Sequence, residues 1–183
     1  MDEAMRKTLT LLGLCWLLLS AACGEEAAQV AHEMICEELP GIGRYVRLDE
    51  RVAQGAEPIG EEGLLSLKRK GVGTIIRVDK DEDGKAAGLA RKHGFEFFEI
   101  PLTYKGVTPE QAQRIVEAVR SSEGRVYIHC KNGKHRSAAA AGVYRVAFCG
   151  WSGEQATAMM RELGCNPKYT GLYRDVGAYR ARS

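Results

Sequence analysis

The residues of this chain that are best suited to chemistry lie within positions 129–137, which read His-Cys-Lys-Asn-Gly-Lys-His-Arg-Ser. They follow a predicted buried strand and precede a predicted helix, so their backbone amides can close around an anion at a helix N-terminus. The same field stabilises a thiolate, so we expect Cys130 to have a lowered pKa and to act as a nucleophile. Arg136 can bind two phosphoryl oxygens through its planar guanidinium group.

The remaining residues of this segment suit a loop that binds a phosphate group. Gly133 permits a backbone conformation with positive φ, and Ser137 can donate a hydrogen bond to the Cys130 sulfur when that sulfur leaves. We interpret His129 as a hydrogen-bonding residue that orients the loop, rather than as an acid or a base. The residues predicted to bind the substrate phosphate are Lys131, Asn132, Gly133, Lys134, His135 and Arg136.

A metal site is the alternative role for the histidines and the cysteine of this segment. The sequence offers no second cluster of ligands that would complete such a site. We therefore predict that the protein uses neither a metal nor a cofactor.

Alternating strand and helix patterns surround the segment. Strands are predicted at 45–48, 51–54, 74–78, 95–100 and 125–129, and helices at 61–70, 85–92, 108–121, 137–148, 152–164 and from about residue 169. Capping boxes are predicted at the start of two of these helices, formed by Thr108 with Gln111 and by Ser152 with Gln155. This order implies an α/β fold with a mostly parallel, four- to five-stranded central sheet and helices on both faces. In such folds a ligand binds outside the carboxyl ends of the strands, where residues 129–137 would lie.

The N-terminal residues have the layout of a secretory signal, with basic residues before an apolar run from Leu9 to Leu19 and small residues after it. We predict a signal peptide at 1–22, a tether at 23–43 with a short helix within 24–38, and one folded domain at 44–183. Residues 19–24 resemble a bacterial lipoprotein signal, which would make Cys23 an acylated first residue. Ordinary secretory cleavage is the alternative, and both predict an exported protein, either periplasmic or anchored to the membrane.

The segment 129–137 resembles the Cys-x5-Arg signature of the protein tyrosine phosphatase superfamily, in the fuller form His-Cys-x-x-Gly-x-x-Arg-Ser/Thr. The similarity to compact bacterial dual-specificity-like phosphatases extends over residues 53–58, 74–78 and 150–156. It implies a dual-specificity phosphatase-like fold, with 44–183 as the phosphatase domain. It also implies that Cys130 attacks phosphorus to form a cysteinyl phosphate. Lipid-directed members place lysines at the positions of Lys131 and Lys134, which implies inositol phosphates or phosphoinositides as candidate substrates, although both lysines could instead be merely solvated.

The sequence departs from this family in the loop that normally supplies a catalytic acid. The corresponding loop, residues 101–107, contains no carboxylate. We predict that Asp79 serves as the general acid, with Asp81 and Asp83 as alternatives, because all three follow the strand at 74–78. Residues 80–84 could equally form an ordinary polar turn, and His135 and Tyr104 are further candidates.

Three function classes follow from these residues. The first is a phosphatase acting on a phosphorylated protein, lipid or small molecule, and the second is a weak or inactive phosphate-binding module. The third, a sulfur-transferring or oxyanion-reducing enzyme, fits poorly because the related sulfurtransferases have a loop one residue shorter. The formal net charge of +2 is too small to indicate a nucleic-acid partner.

Overall fold

The computed structural model describes residues 34–81 and 84–181. Six strands form one sheet in the order β1-β2-β3-β6-β4-β5. The strands are β1 (Ile35–Leu39), β2 (Ile42–Arg47), β3 (Val52–Ala56), β4 (Val72–Arg77), β5 (Glu96–Glu99) and β6 (Arg125–Cys130). The helices are α1 (Gly60–Arg69), α2 (Ala86–Lys92), α3 (Pro109–Ser121), α4 (Arg136–Cys149), α5 (Gly153–Glu162) and α6 (Thr170–Ala178).

The sheet is parallel where the site lies. The strands β3, β6, β4 and β5 pair in parallel, whereas β1 and β2 extend the sheet in antiparallel pairs. This confirms the predicted mostly parallel α/β fold. The sheet has six strands rather than four or five, because β1 joins it from the segment ahead of residue 44.

The helix predicted within residues 24–38 is wrong over 35–38, where the chain forms β1. The compact unit that holds the sheet begins at Ile35. The sheet thus takes in residues that the sequence analysis places in the tether. The predicted signal peptide and Cys23 lie outside the described residues, and within those residues no helix is both long and apolar enough to cross a membrane.

Helices cover both faces of the sheet. On one face, Leu64 and Leu67 of α1 and Ala90 of α2 pack with Ile75 and Tyr127 of the central strands. Side chains on a strand alternate between the two faces, so the neighbouring strand residues point to the other side. There α4 packs against β3 and β6, and α3, α5 and α6 pack against α4.

Two helices begin at the capping boxes that the sequence predicts. Thr108 Oγ1 accepts from the Gln111 amide at 3.2 Å, and the Gln111 side chain accepts from the Thr108 amide at 2.9 Å. Ser152 and Gln155 make the same pair of bonds at the start of α5. Each box satisfies two backbone amides that have no partner within the helix, which fixes where the helix starts.

Candidate active site

Residues 131–135 form the turn between β6 and α4, here called the anion loop. The strand β6 lies between β3 and β4, with Cys130 opposite Ala56 and His129 opposite Arg77. The helix α4 starts immediately after the loop, and its N-cap residue, His135, makes no side-chain cap bond within the described structure. The first amides of α4 are therefore available to an anion.

The anion loop lies against the end of β3. Asn132 bridges to Ala56, and the Glu57 amide donates to the Lys131 carbonyl oxygen at 3.4 Å. Gly133 has φ +65°, and a Cβ at this residue would lie 2.4 Å from the Ala56 nitrogen. Glycine is therefore required here both for the left-handed conformation and for the close approach of two backbones.

The Cys130 thiol lies at the base of this loop and is almost completely buried. Its Sγ is 3.5 Å from Ser137 Oγ. Burial raises the pKa of Cys130, but hydrogen bonds from the Ser137 hydroxyl and from the Ser137 and Gly133 amides lower it, as does the charge of Arg136. The lowering effects prevail, so the pKa lies below its ordinary value, as predicted for a nucleophilic cysteine.

Arg136 is held beside the loop by two neighbours. Its Nη2 is 3.5 Å from Asp79 Oδ2, and its guanidinium carbon lies 4.9 Å from the centre of the Tyr104 ring. The Nε atom is buried and has no hydrogen-bond partner in the described structure. A guanidinium group in this position retains donors for an oxyanion bound by the loop.

Asp79 lies beneath the anion loop and is 4% exposed. Its Oδ2 accepts from the Lys131 amide at 2.8 Å, and its Oδ1 accepts from Arg77 Nε at 3.2 Å. With Arg136 as its third partner, the carboxylate joins the loop to the end of β4. Through these three contacts, the Asp79 carboxylate supports the anion loop.

Arg77 is a site residue that the sequence analysis did not identify. Its buried guanidinium group contacts Asp79, Glu57 and Asp81 and also donates to the Lys80 carbonyl oxygen. The sequence did contain a signal for it, because Arg77 ends a strand rich in β-branched residues. A charge buried in such a strand needs partners of opposite charge. Arg77 thereby fixes the carboxylate that supports the anion loop.

Asp81 and Asp83 are the alternative general acids that the sequence predicts, and of the two only Asp81 lies within the described structure. The Asp81 side chain is only 7% exposed, and its carboxylate accepts from Arg77 and from the Ala86 amide at the start of α2, at 3.2 and 2.9 Å. Asp81 therefore anchors α2 to β4, and the polar-turn interpretation suits it better than the role of acid. Asp83 lies outside the described residues.

The loop at 101–107 folds against α6 rather than carrying an acid. The Val107 amide donates to Asp175 Oδ2 at 2.9 Å, a contact that sequence spacing alone did not reveal. A hydrogen bond from Arg174 lowers the pKa of Asp175, and the Val107 amide lowers it as well, although burial opposes them. Asp175 is thus suited to holding the loop in place and not to keeping a proton.

Aromatic side chains line one side of the site. Tyr104 stacks on Tyr169 with ring centres 4.3 Å apart, and the His135 ring meets Tyr169 edge-on at 4.8 Å. His135 Nδ1 accepts from the Asn166 amide at 3.2 Å. Burial lowers the pKa of His135, and the charges of its cationic neighbours lower it further. The sequence analysis missed Tyr169, which becomes a neighbour only when α6 packs.

His129 is buried beneath the loop and its ring stacks on Tyr127 with centres 5.9 Å apart. Burial lowers the pKa of His129 to about 3, and the charge of Arg77 acts in the same direction. The ring is therefore neutral, in agreement with the interpretation that it is neither acid nor base. Its Nδ1 has no hydrogen-bond partner among the described residues, so the loop-orienting role stays a prediction.

We expect His129 to make folding sensitive to acid. The unfolded chain takes up a proton at this residue from about pH 6.5 downward, whereas the folded chain does so only near pH 3. The free energy of unfolding should therefore fall as the pH is lowered through this window, by about 1 kcal/mol per pH unit. Urea titrations at several pH values should give a flatter profile for His129→Asn than for the wild type, and equal slopes would contradict the assignment.

The geometry brings together most of the predicted site residues. Cys130, Arg136, Ser137 and Asp79 surround the anion loop, and the Lys131 and Lys134 side chains are exposed beside it. The four cysteines of the described residues are unpaired, and no group of three or more metal-ligating side chains occurs among those residues. The arrangement can bind a tetrahedral oxyanion above a thiolate and can stabilise the charge that develops as the sulfur attacks.

Comparison with known proteins agrees with this geometry. Residues 44–170 match the family model described as a DSP-PTPase phosphatase fused to NAD+ kinase. The chain is 27% identical over 142 residues to the dual specificity protein phosphatase TpbA of Pseudomonas aeruginosa, which covers 76% of this chain and 62% of that protein. It is 29% identical over 97 residues to a beta-lactamase hydrolase-like protein of Xylella fastidiosa, covering 49% of this chain and 22% of that protein. The chain thus spans less than two thirds of these relatives.

Solved structures show the same fold. The structure of P. aeruginosa TpbA in complex with pTyr superposes with a TM-score of 0.65 at 20% identity, covering 78% of this chain and 88% of that one. PTPMT1 in complex with PI(5)P superposes with a TM-score of 0.62 at 19% identity, covering 73% and 94%. Since the family model spans most of the chain, the protein belongs to the dual-specificity phosphatases of the protein tyrosine phosphatase superfamily.

Proposed function

We propose that this protein hydrolyses phosphomonoesters through a cysteinyl-phosphate intermediate. The observation that carries the proposal is the position of the Cys130 sulfur, which meets the Ser137 hydroxyl and the amides of Ser137 and Gly133 at the start of α4. Arg136 stands beside the same loop. A thiolate, oxyanion donors and a guanidinium group on one helix N-terminus are the groups that phosphoryl transfer to sulfur requires.

The reaction proceeds in two displacements. The Cys130 thiolate forms a bond to phosphorus while the bond from phosphorus to the leaving oxygen breaks, and that oxygen takes a proton from water. A second water molecule then attacks phosphorus, the sulfur–phosphorus bond breaks and inorganic phosphate leaves, with the proton of that water passing to solvent. The Ser137 hydroxyl stabilises the sulfur anion as it departs.

The absence of a carboxylate from residues 101–107 bears on the substrate. An aryl oxide leaves without prior protonation far more readily than an alkoxide does, so esters of phenols are the favoured monophosphates. The complex of TpbA with pTyr is in keeping with this class, whereas that of PTPMT1 with PI(5)P represents the alkyl class. We therefore propose phosphotyrosine-like esters as substrates that need no general acid.

We also propose that Asp79 is a positioning residue, and not the general acid that the sequence analysis predicts. Both of its oxygens accept hydrogen bonds from cationic or amide donors, so the carboxylate is engaged in binding Arg77, the anion loop and Arg136. Through these bonds it fixes both the start of the anion loop and Arg136.

Replacing Asp79 with asparagine should lower kcat/KM by roughly tenfold for aryl and alkyl esters alike, because the loop and Arg136 lose one charged partner. The inhibition constant for inorganic phosphate, measured well below the melting temperature so that the variant is folded, should rise in parallel. This rise would distinguish a positioning role from a purely structural one. A general acid would instead give a much larger loss with alkyl esters. Asp175→Asn, whose carboxylate holds the neighbouring loop, is the matched control and should leave phosphate affinity within about twofold.

Hydrolysis of p-nitrophenyl phosphate by the purified chain tests the proposed function. We expect turnover and, after rapid acid quenching, a phosphate adduct on the peptide that contains Cys130. Binding of phosphate without turnover would instead favour a non-catalytic phosphate-binding module, and turnover with no adduct would exclude the covalent route.

We further propose that residues 1–22 direct export and that Cys23 is acylated in a bacterial cell. The support is the sequence pattern alone, since these residues lie outside the described structure. Incorporation of labelled palmitate into the wild type but not into Cys23→Ser would support lipidation. Cleavage without labelling would show ordinary secretion.

A further inference from the structure

Tyr104, in the loop at 101–107, contacts Arg136 through the face of its ring. The Arg136 guanidinium carbon lies over this ring, 4.9 Å from its centre. An aromatic ring attracts a cation through the electrostatics of its face, so the contact does not require any particular N–H donor of the guanidinium group. The Asp79 carboxylate, by contrast, occupies an Nη2 donor. Tyr104 can therefore hold Arg136 while its buried Nε, which has no hydrogen-bond partner among the described residues, stays available to an oxyanion.

The Tyr104 ring is itself held by Tyr169, the N-cap residue of α6. The two rings are stacked, with an angle of 18° between their planes. On Tyr169, the Lys168 Nζ lies over the ring at 5.2 Å from its centre. Because the Tyr104 side chain is 40% exposed, it would be free to change rotamer without such a neighbour. Stacking on Tyr169 restricts that freedom.

The backbone of the loop is also fixed on the start of α6. A Cβ at Gly171 would collide with the Lys105 carbonyl oxygen, so the loop and the first turn of the helix pack backbone to backbone. Lys105 is the neighbour of Tyr104 in sequence, and Gly171 lies two residues after Tyr169. The same turn of α6 therefore fixes Tyr104 through its backbone and through its ring.

We propose that Tyr104 and Tyr169 are positioning residues, which together hold Arg136 in the orientation that binds the transferring phosphoryl group. The inference rests on the proposed phosphatase function and adds α6 to the elements that build the site. It also gives Tyr104 a role different from that of a general acid, because its ring and not its hydroxyl makes the contact with Arg136.

The test measures the inhibition constants of vanadate and inorganic phosphate against hydrolysis of p-nitrophenyl phosphate by the full chain. Neither inhibitor carries a ring, so a lost contact between Tyr104 and an aryl substrate cannot change these constants. Tyr104→Leu should weaken vanadate binding by roughly tenfold and phosphate binding by less than about threefold, because a well-oriented Arg136 matters most in the transition state. Tyr169→Leu should act in the same direction by a smaller factor. Tyr104→Phe keeps the ring and should stay within about twofold of the wild type.

Tyr104→Leu in an Arg136→Lys background shows whether the ring acts through the arginine. The donors of a lysine ammonium group rotate freely, so lysine gains little from an orienting ring, and the vanadate loss should shrink to less than about twofold. Phe148→Leu is the matched control. Phe148 is an exposed ring at the other end of α4, where it lies 5.9 Å from the Arg120 guanidinium carbon and stacks on Tyr144. Its replacement should change neither inhibition constant.

The outcomes separate the positioning role from the proposed function. A wild type that does not hydrolyse p-nitrophenyl phosphate would contradict the function itself. If the wild type is active but Tyr104→Leu weakens vanadate and phosphate by the same factor, or weakens neither, the positioning role is refuted while the function stands. An undiminished vanadate loss in the Arg136→Lys background, or a loss with Tyr104→Phe as large as with Tyr104→Leu, would refute it too. Tyr169→Leu tests the same stack from α6, so the result does not depend on one variant.

Discussion

Replacing Cys130 with serine is expected to reduce turnover of p-nitrophenyl phosphate by about ten-thousandfold or more. The serine hydroxyl is a far weaker nucleophile than the thiolate that the loop stabilises. The hydrogen bonds that favour the thiolate are not sufficient to deprotonate a hydroxyl near neutral pH. The variant should still bind phosphate, because the amides of the loop and Arg136 remain in place.

The measurement is steady-state hydrolysis together with a phosphate-binding titration. Cys36→Ser provides the matched control, since Cys36 is an exposed, unpaired cysteine on β1 and should be replaceable without loss. Turnover by Cys130→Ser within a factor of ten of the wild type would exclude the sulfur as the nucleophile.

The second large effect is expected at Arg136. Its replacement by lysine keeps the positive charge but removes the planar pair of donors, so kcat should fall by roughly a hundred- to a thousandfold. The loss should appear mainly in kcat, because the charge on the transferring phosphoryl group is greatest in the transition state.

Vanadate adopts a geometry close to that transition state and should lose affinity for Arg136→Lys by a larger factor than phosphate does. The control is Arg91→Lys on the exposed surface of α2, for which no change is expected. An equal loss of affinity for vanadate and phosphate would argue that Arg136 binds ground state and transition state alike.

The anion loop and its neighbours could be predicted because their signals are local. The strand before Cys130, the turn at Gly133 and the helix after Arg136 are each marked by residues next to them in sequence. The capping boxes at Thr108 and Ser152 likewise satisfy local amides, and the structure confirms both. Such features depend little on the rest of the fold.

The features that escaped prediction depend on distant partners. The strand β1 lies at the edge of the sheet, and its sequence Ile-Cys-Glu-Glu-Leu has no apolar alternation, so pairing with β2 decides its conformation. The position of Asp79 at the correct sheet edge was predictable. Its binding to Arg77 and Arg136 was not, because three separate segments must meet before the carboxylate has these partners.

The uncapped start of α4 has a consequence for how the protein responds to its own product. The helices α3 and α5 begin with side chains that complete their first turns, whereas α4 makes no such bond at His135. An oxyanion bound at this terminus would act as the missing cap, so inorganic phosphate should stabilise the folded chain as well as inhibit the enzyme. Bound product would then raise the melting temperature, by an amount that increases with the logarithm of the phosphate concentration once this exceeds the dissociation constant.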